Sequence, residues 1–357
     1  METGDRVVKV KSRASEERLL EIRSQAASAS LQAVTPGVPK APEAGYYGLP
    51  VLKEPQWSWE VPAYLFTGGA AGAAALIAGA AGIGGTNPRL LRDARRLATV
   101  CGTISPLLLI SDLGKPSRFL NMLRVFKVQS PMSVGSWTLL VFSNAAVASA
   151  LFGRLRPDGS TALGSAAQAV SSLTGLALTT YTGVLLGVTA IPVWAENSVL
   201  LPFHFGASGL ASAVAILQLA GHENDRGLHA LGIASAAAET VVGARIELKS
   251  NPATRPLKSG ASGWLTRAGG LLSGPLPLAL RLLAGRRQDG RSVWLRRAAA
   301  VSAVAGSVLT RFAWVEAGKA SARDPKPVLE TPDDQQPKNV GRSRAQARLK
   351  AADVSTS

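Results

Sequence analysis

Residues 61–83 read VPAYLFTGGAAGAAALIAGAAGI, a run without a single charged side chain. Roughly 20 apolar residues suffice for a helix to cross the hydrocarbon core of a bilayer, so this run predicts a transmembrane helix. Seven similar but mostly weaker runs follow. The expected spans are residues 61–83, 97–113, 134–153, 166–191, 199–220, 228–243, 264–283 and 293–309. The sequence therefore predicts an all-α, polytopic integral membrane bundle of about eight transmembrane helices.

The composition also favours a membrane protein. Of the 357 residues, 46% are hydrophobic and only 17% are charged, whereas a soluble domain carries about 25% charged residues. The net charge of +16 raises the question of nucleic acid. However, Lys and Arg fall in short clusters between the apolar runs, where they contact lipid headgroups and fix topology. Membrane lipid is therefore an expected partner, and nucleic acid is not.

Three regions follow from this pattern. Residues 1–55 form a polar, Pro-punctuated N-terminal tail, residues 56–311 form the transmembrane domain, and residues 312–357 form a charged C-terminal tail. Both tails are expected to be disordered, because they cannot bury enough apolar surface to fold. Pro275 and Pro277 predict a kink or a re-entrant turn in the seventh span.

Small residues recur at four-residue spacing in the first and fourth spans, at Gly68 and Gly72 and at Gly175, Thr179 and Gly183. This spacing lets helix backbones approach closely in lipid. It predicts ordinary close packing of the bundle.

With an even number of spans, both tails lie at one end of the bundle. The short loops at the other end are somewhat richer in Arg, which favours a cytoplasmic location for them. The tail end collects most of the chemically unusual residues. Trp57, Trp59, Trp137 and Trp194 there fit an interfacial aromatic belt.

Ionisable side chains at membrane depth are costly, so Glu60 and Glu239 are candidates for proton exchange. A site that oxidises quinol must accept hydrogen bonds from its hydroxyls and take up protons, as carboxylate, Tyr and His side chains do. The candidate quinol-binding residues are Glu60, Tyr64, Asp112, Arg118, Tyr181 and His204. Lys115 and Arg245 are expected to anchor the adjoining loops. The structural alternative is a helix–loop clamp in which Glu60 and Asp112 pair with Lys115 or Arg118.

The chain holds one cysteine and three histidines. One thiol cannot by itself ligate an iron–sulfur cluster, and a two-haem membrane cytochrome needs four axial ligands. His222 and His229 flank the loop between the fifth and sixth spans, and His204 lies at the other end of the fifth. Redox cofactors are therefore expected in another subunit, and no metal site is expected here.

Three stretches carry a family resemblance. They are WSWEVPAYLFTGGAAG at 57–72, DLGKPSRFLNMLRVFKVQSPMSVGSW at 112–137 and YTGVLLGVTAIPVWAENSVLLPFHFGASGL at 181–210. Together they resemble the NrfD/PsrC family of membrane subunits over about residues 45–311, and the second stretch is the most specific. Glu60 stands near the position where the polysulfide reductase branch has a histidine.

The resemblance implies an eight-helix subunit without bound cofactors in the bacterial cytoplasmic membrane. Such a subunit exchanges electrons between quinone or menaquinone, an exchangeable substrate, and a ferredoxin-like [4Fe–4S] subunit. That partner in turn serves a molybdopterin or multihaem catalytic subunit. Two alternatives remain open, namely a transporter that uses Glu60 and Glu239 near the midplane, and a membrane anchor without catalysis.

Overall fold

The computed structural model describes residues 52–85, 87–155, 161–285 and 289–324, and these residues are helical with no β-strand among them. They correspond almost wholly to one compact unit, Glu54–Ala322. Nearly all of the expected N-terminal tail, and residues 325–357 of the expected C-terminal tail, lie outside the described residues. The last helix continues to Arg323, beyond residue 311 where the sequence places the end of the membrane domain.

Eleven α-helices follow one another along the described chain. They are α1 Glu60–Gly84, α2 Pro88–Asp112, α3 Ser117–Leu123, α4 Pro131–Leu155, α5 Ala162–Gly187, α6 Pro192–Ala195, α7 Leu200–Leu217, α8 Arg226–Leu248, α9 Gly260–Ser273, α10 Pro275–Ala284 and α11 Gly290–Arg323. A π-helical turn, Gln218–His222, extends α7, and a 3₁₀ turn, Pro252–Leu257, precedes α9.

Short loops join α1 to α2, α4 to α5, α7 to α8 and α10 to α11. Helices joined by such loops are antiparallel neighbours, so the four loops mark one end of the bundle, here called the arginine end. The opposite end, where α1 begins and α11 finishes, is the tail end. At the arginine end, Asp93 Oδ2 of α2 lies 3.0 Å from Nε2 of His222, at the end of the π turn.

Within the described ranges, six helices are long and apolar enough to cross a membrane, namely α1, α4, α5, α7 with its π turn, α8 and α11. A seventh results if α2 and α3 count as one span bent by 113°. The expected count of eight is therefore not confirmed. The second expected span falls short because the first turns of α2 carry several charges, and the seventh is divided into two short helices.

The break in the expected seventh span is stabilised by a contact with α11. Gly274, just before Pro275, has non-helical angles of φ −107° and ψ −86° and separates α9 from α10. A residue that precedes proline is disfavoured in the helical region. Ser302 of α11 donates to the Leu272 carbonyl at 2.7 Å, which satisfies a backbone acceptor beside the break.

Glycines bring α1 very close to two other helices. A Cβ on Gly72 would collide with the Gly175 carbonyl and the Thr179 hydroxyl of α5, and a Cβ on Gly69 would lie 3.6 Å from Gly209 of α7. Gly72 and Gly175 thus allow the close helix packing that the spacing of small residues predicts. These contacts hold α1 at the centre of the bundle.

Candidate functional site

Several buried polar atoms at the tail end have no hydrogen-bond partner of good geometry among the described residues, and Asn197 Oδ1, just ahead of α7, is one of them. Three others are Glu60 Oε2 at the start of α1, Trp137 Nε1 in the second turn of α4, and the hydroxyl of Tyr181, which lies close to the Gly135 backbone but donates to no acceptor among the described residues. Buried polar groups are normally paired, so an orphaned group calls for an explanation such as a ligand or a water molecule. All three residues belong to the sequence stretches that carry the family resemblance.

The two tyrosines link α1, α5 and α4 at the tail end. Tyr64 lies one turn after Glu60 on α1 and is 2% exposed, and its hydroxyl is close enough to Tyr181 to interact electrostatically. Residues four apart share a helix face. The Tyr181 ring lies directly on Gly135, where any Cβ would overlap the ring. Gly135, within the Ser-x-Gly-Ser-Trp motif, thus makes room for Tyr181 beside α4.

Asp112 fastens the chain just ahead of α1. Its Oδ1 accepts a 2.6 Å hydrogen bond from the Ser58 hydroxyl and a 3.2 Å bond from the Ser58 amide. The alternative clamp predicted from sequence used Lys115 or Arg118, and that pairing is wrong. Both cations are exposed and make no ion pair within the described chain. Arg245, the other expected loop anchor, is likewise exposed on α8.

The tryptophans are less interfacial than expected. Trp194 is fully buried, stacks on Trp57 with ring centres 5.1 Å apart, and donates from Nε1 to the Trp314 carbonyl at 2.9 Å. For Trp194, therefore, the aromatic-belt interpretation is wrong. Trp59 is 62% exposed and fits a belt.

A second polar cluster lies deeper, between α7, α8 and α11, and is formed by His204, Glu239 and Arg311. Their exposed fractions are 5%, 2% and 0%. Arg311 interacts electrostatically with both His204 and Glu239. Its Nη2 donates to the Phe205 carbonyl at 3.2 Å, and its guanidinium carbon lies 4.1 Å from the Phe205 ring centre.

Glu239 lies deeper than its expected place at the end of the sixth span. Helix α8 continues to Leu248, so Glu239 sits nine residues, about 14 Å, before the helix end. Ser208 and Ser273 lie beside its carboxyl group, yet neither carboxylate oxygen makes a hydrogen bond of good geometry within the described residues. No direct ion pair joins it to Arg311, although the two groups interact electrostatically.

Sequence reasoning missed Arg311. The signal was present, because Arg311 is the only charged residue between positions 298 and 315. The expected last span finished at residue 309, which placed Arg311 at a boundary rather than inside the bundle. The rule that an ionisable residue at membrane depth marks a functional site would have identified it.

The structure thus divides the predicted site into two groups. Glu60, Tyr64 and Tyr181 lie together at the tail end, with Asp112 close to the start of the same helix. His204 joins Glu239 and Arg311 instead, and Arg118 faces outward. Among the residues that the structure describes, no group of three or more His, Cys, Asp and Glu side chains is arranged to hold a metal ion.

The tail-end groups offer both hydrogen-bond donors and an acceptor. The Tyr181 hydroxyl and the Trp137 indole can donate, and the Glu60 carboxylate can accept a hydrogen bond or a proton. The deeper group contains a cation that cannot lose its proton together with two groups that can exchange one.

No curated protein matches this chain. The family model described as polysulfide reductase, NrfD type, matches residues 43–323, which includes every helix described above. NrfD proteins are membrane subunits of quinone-interacting oxidoreductase complexes and generally associate with iron–sulfur and molybdopterin subunits. With its several apolar helices and this match over most of its length, the chain is a multi-pass membrane protein that belongs to the NrfD polysulfide reductase family.

Proposed function

We propose that this chain is the quinone-reactive subunit of a respiratory complex, and that it passes electrons between the quinone pool and a ferredoxin-like [4Fe–4S] subunit. In this proposal it resides in a bacterial cytoplasmic membrane and binds no redox cofactor itself, and quinone or menaquinone is an exchangeable substrate. A molybdopterin or multihaem subunit completes the complex.

The observation that carries the proposal is that three of the buried polar atoms at the tail end, Glu60 Oε2, Trp137 Nε1 and the Tyr181 hydroxyl, have no hydrogen-bond partner of good geometry among the described residues. A quinone headgroup has two ring oxygens that accept hydrogen bonds when oxidised and donate them when reduced. Donors from Trp137 and Tyr181 fit the oxidised form, and Glu60 fits the reduced form. The headgroup would therefore satisfy atoms that the protein leaves unpaired.

The chemistry assigned to these residues is proton transfer. Oxidation of one quinol releases two protons and two electrons, and a positioned carboxylate within hydrogen-bond reach can take up a proton as it leaves. Glu60 is the proposed acceptor, and Tyr64 and Tyr181 orient the ring oxygens. The electrons leave to the iron–sulfur partner at the tail end. Glu239 is a second proposed proton-exchange group, and Asp112 is proposed to hold the start of α1 beside the headgroup site. The exposed Arg118 and the His204 of the deeper cluster have no part in this site.

The test is inhibitor binding to the purified complex, measured by quenching of a fluorescent quinol-site inhibitor. Glu60→Gln and Tyr181→Phe each remove one proposed contact, so the dissociation constant should rise about tenfold. Glu316→Gln is the matched control, since Glu316 lies at the same end, is 48% exposed and pairs with Lys319. It should bind the inhibitor as the native chain does.

Two results would overturn the proposal. One is the lack of saturable binding in the intact native complex, which would favour a transporter. The other is unchanged binding and quinol turnover in both Glu60→Gln and Tyr181→Phe, which would favour an anchor without a quinone site here.

A further inference from the structure

The arginine end contains a cavity of about 600 Å³ that belongs to neither polar cluster. It lies between the start of α8, the end of α10 and the start of α11. Its polar lining comes from Asn224, Arg226, His229, Arg281 and Arg296, and no carboxylate side chain is part of the lining. Three guanidinium groups thus surround one space. We call it the Arg281 cavity.

Arg281 is the most informative of these residues, because its side chain is only 1% exposed. Nη1 donates to Gln218 Oε1 at 2.7 Å, while Nε is buried without a hydrogen-bond partner. The guanidinium lies against Gly232 of α8, where a Cβ would collide with it. Within the described chain Arg281 makes no ion pair. A buried guanidinium stays charged, so this arrangement leaves a charge and a donor to be satisfied.

Neighbouring acids are engaged elsewhere. Glu223 pairs with Arg297 at 2.7 Å, on the outer side of α11. Asp225 caps α8 by accepting from the Leu228 amide at 2.9 Å, and Asp289 accepts from the Ser292 amide at the start of α11. None of the three carboxylates lines the cavity.

The rim of the cavity is fixed by Arg296. Its Nη1 donates to Asn224 Oδ1 at 3.0 Å and its Nη2 donates to the Gly285 carbonyl at 3.2 Å. These bonds join the loop before α8 to the end of α10. Arg296 therefore links the parts of α8, α10 and α11 that surround the cavity.

We propose that the Arg281 cavity binds the phosphate group of an anionic ligand. Guanidinium groups bind phosphate through paired, charge-assisted hydrogen bonds. Leu282 also lines the cavity and is 60% exposed, so apolar surface continues from the cavity to the outside of the bundle. A phospholipid headgroup would place its phosphate on Arg281 and its acyl chains along this surface. A soluble phosphate would use the same arginines alone. The site is independent of the proposed quinone site, which lies at the other end.

The experiment measures the melting temperature of the purified complex in nonionic detergent during three titrations. The additives are short-chain phosphatidylglycerol, short-chain phosphatidylcholine and inorganic phosphate. A ligand that binds only the native state raises the melting temperature in a saturable way. A rise with phosphatidylglycerol alone assigns the site to an anionic lipid. A similar rise with inorganic phosphate assigns it to a soluble phosphate.

Variants connect the response to the cavity. Arg281→Gln and Arg226→Gln should each raise the half-saturating concentration about tenfold, since each removes a charge-assisted contact. Arg226 is exposed, so its replacement tests the site even if Arg281→Gln does not fold. Arg291→Gln, at the same end but outside the lining, is the control for lost charge and should respond as the native protein does. The proposal fails if no phosphate compound raises the melting temperature, or if the response persists undiminished in Arg226→Gln and in any folded Arg281→Gln.

Discussion

Replacing Gly72 by alanine should destabilise the bundle, whereas replacing Gly243 by alanine should stabilise it. Both glycines lie inside helices, α1 and α8. A Cβ on Gly72 would overlap the Gly175 carbonyl and the Thr179 hydroxyl, whereas a Cβ on Gly243 would meet no atom within 4 Å. The pair therefore isolates the cost of separating α1 from α5.

The relative sizes of two energies, helix propensity and steric overlap, decide whether each variant is more or less stable than the native protein. Alanine is favoured over glycine in a helix interior by up to about 1 kcal/mol, and both variants gain this term. Inserting a methyl group into a closely packed contact costs about 1–3 kcal/mol. Gly72→Ala meets backbone atoms that cannot rotate away, so its cost lies toward the upper end. We expect a net loss of about 1–2 kcal/mol for Gly72→Ala and a gain of up to about 1 kcal/mol for Gly243→Ala.

Thermal unfolding of the purified protein in detergent, followed by tryptophan fluorescence, measures both changes. Trp194 and Trp314 are fully buried in the bundle and report loss of packing. The reasoning would be refuted if Gly72→Ala melted at or above the temperature of Gly243→Ala. Close approach of α1 and α5 would then contribute nothing to stability.

Two further predictions concern charged groups. Glu239 and Arg311 interact electrostatically without a direct ion pair, so Glu239→Gln and Arg311→Met should each destabilise the bundle, and the double variant should lose less than the sum of the two single losses. Unfolding in detergent tests this, and additive losses would contradict it. A hydrogen bond from its own backbone amide, together with Arg297, holds the pKa of Glu223 below its ordinary value of 4.5. The stabilisation by Glu223 should therefore be complete above that value and be lost as the pH falls below it. The melting-temperature difference between native protein and Glu223→Gln should accordingly stay constant between about pH 7 and about pH 5 and shrink as the pH falls to about 3, and a difference that is constant down to about pH 3 would contradict the prediction.

The sequence predicts the elements of this fold well where the signal is local. Apolar runs locate the long helices, and Pro275 predicts the break that the structure places at Gly274. Spacing of small residues predicts the contact of Gly72 with α5, because one short pattern contains the whole cause. The number of spans is less certain from sequence, since α2 combines a charged first half with an apolar second half.

The candidate site was less accessible to prediction, because its contacts join distant parts of the chain. Asp112 bonds Ser58 from 54 positions away, so no local pattern distinguishes it from a carboxylate that pairs with Lys115. His204 and Glu239 each look like isolated polar residues in an apolar run. Only packing of α7, α8 and α11 shows that both face Arg311.

This clustering changes how any loss of function at Glu239 must be interpreted. Arg311 is fully buried, cannot lose its proton and interacts electrostatically with Glu239, so a negative charge on Glu239 stabilises the fold regardless of quinol chemistry. A single Glu239→Gln variant removes that charge, and lost turnover could then reflect a damaged bundle. Arg311→Met combined with Glu239→Gln removes both charges and separates the two roles. A folded double variant that oxidises quinol at the native rate would show that Glu239 serves the structure, whereas a folded but inactive one would support proton exchange.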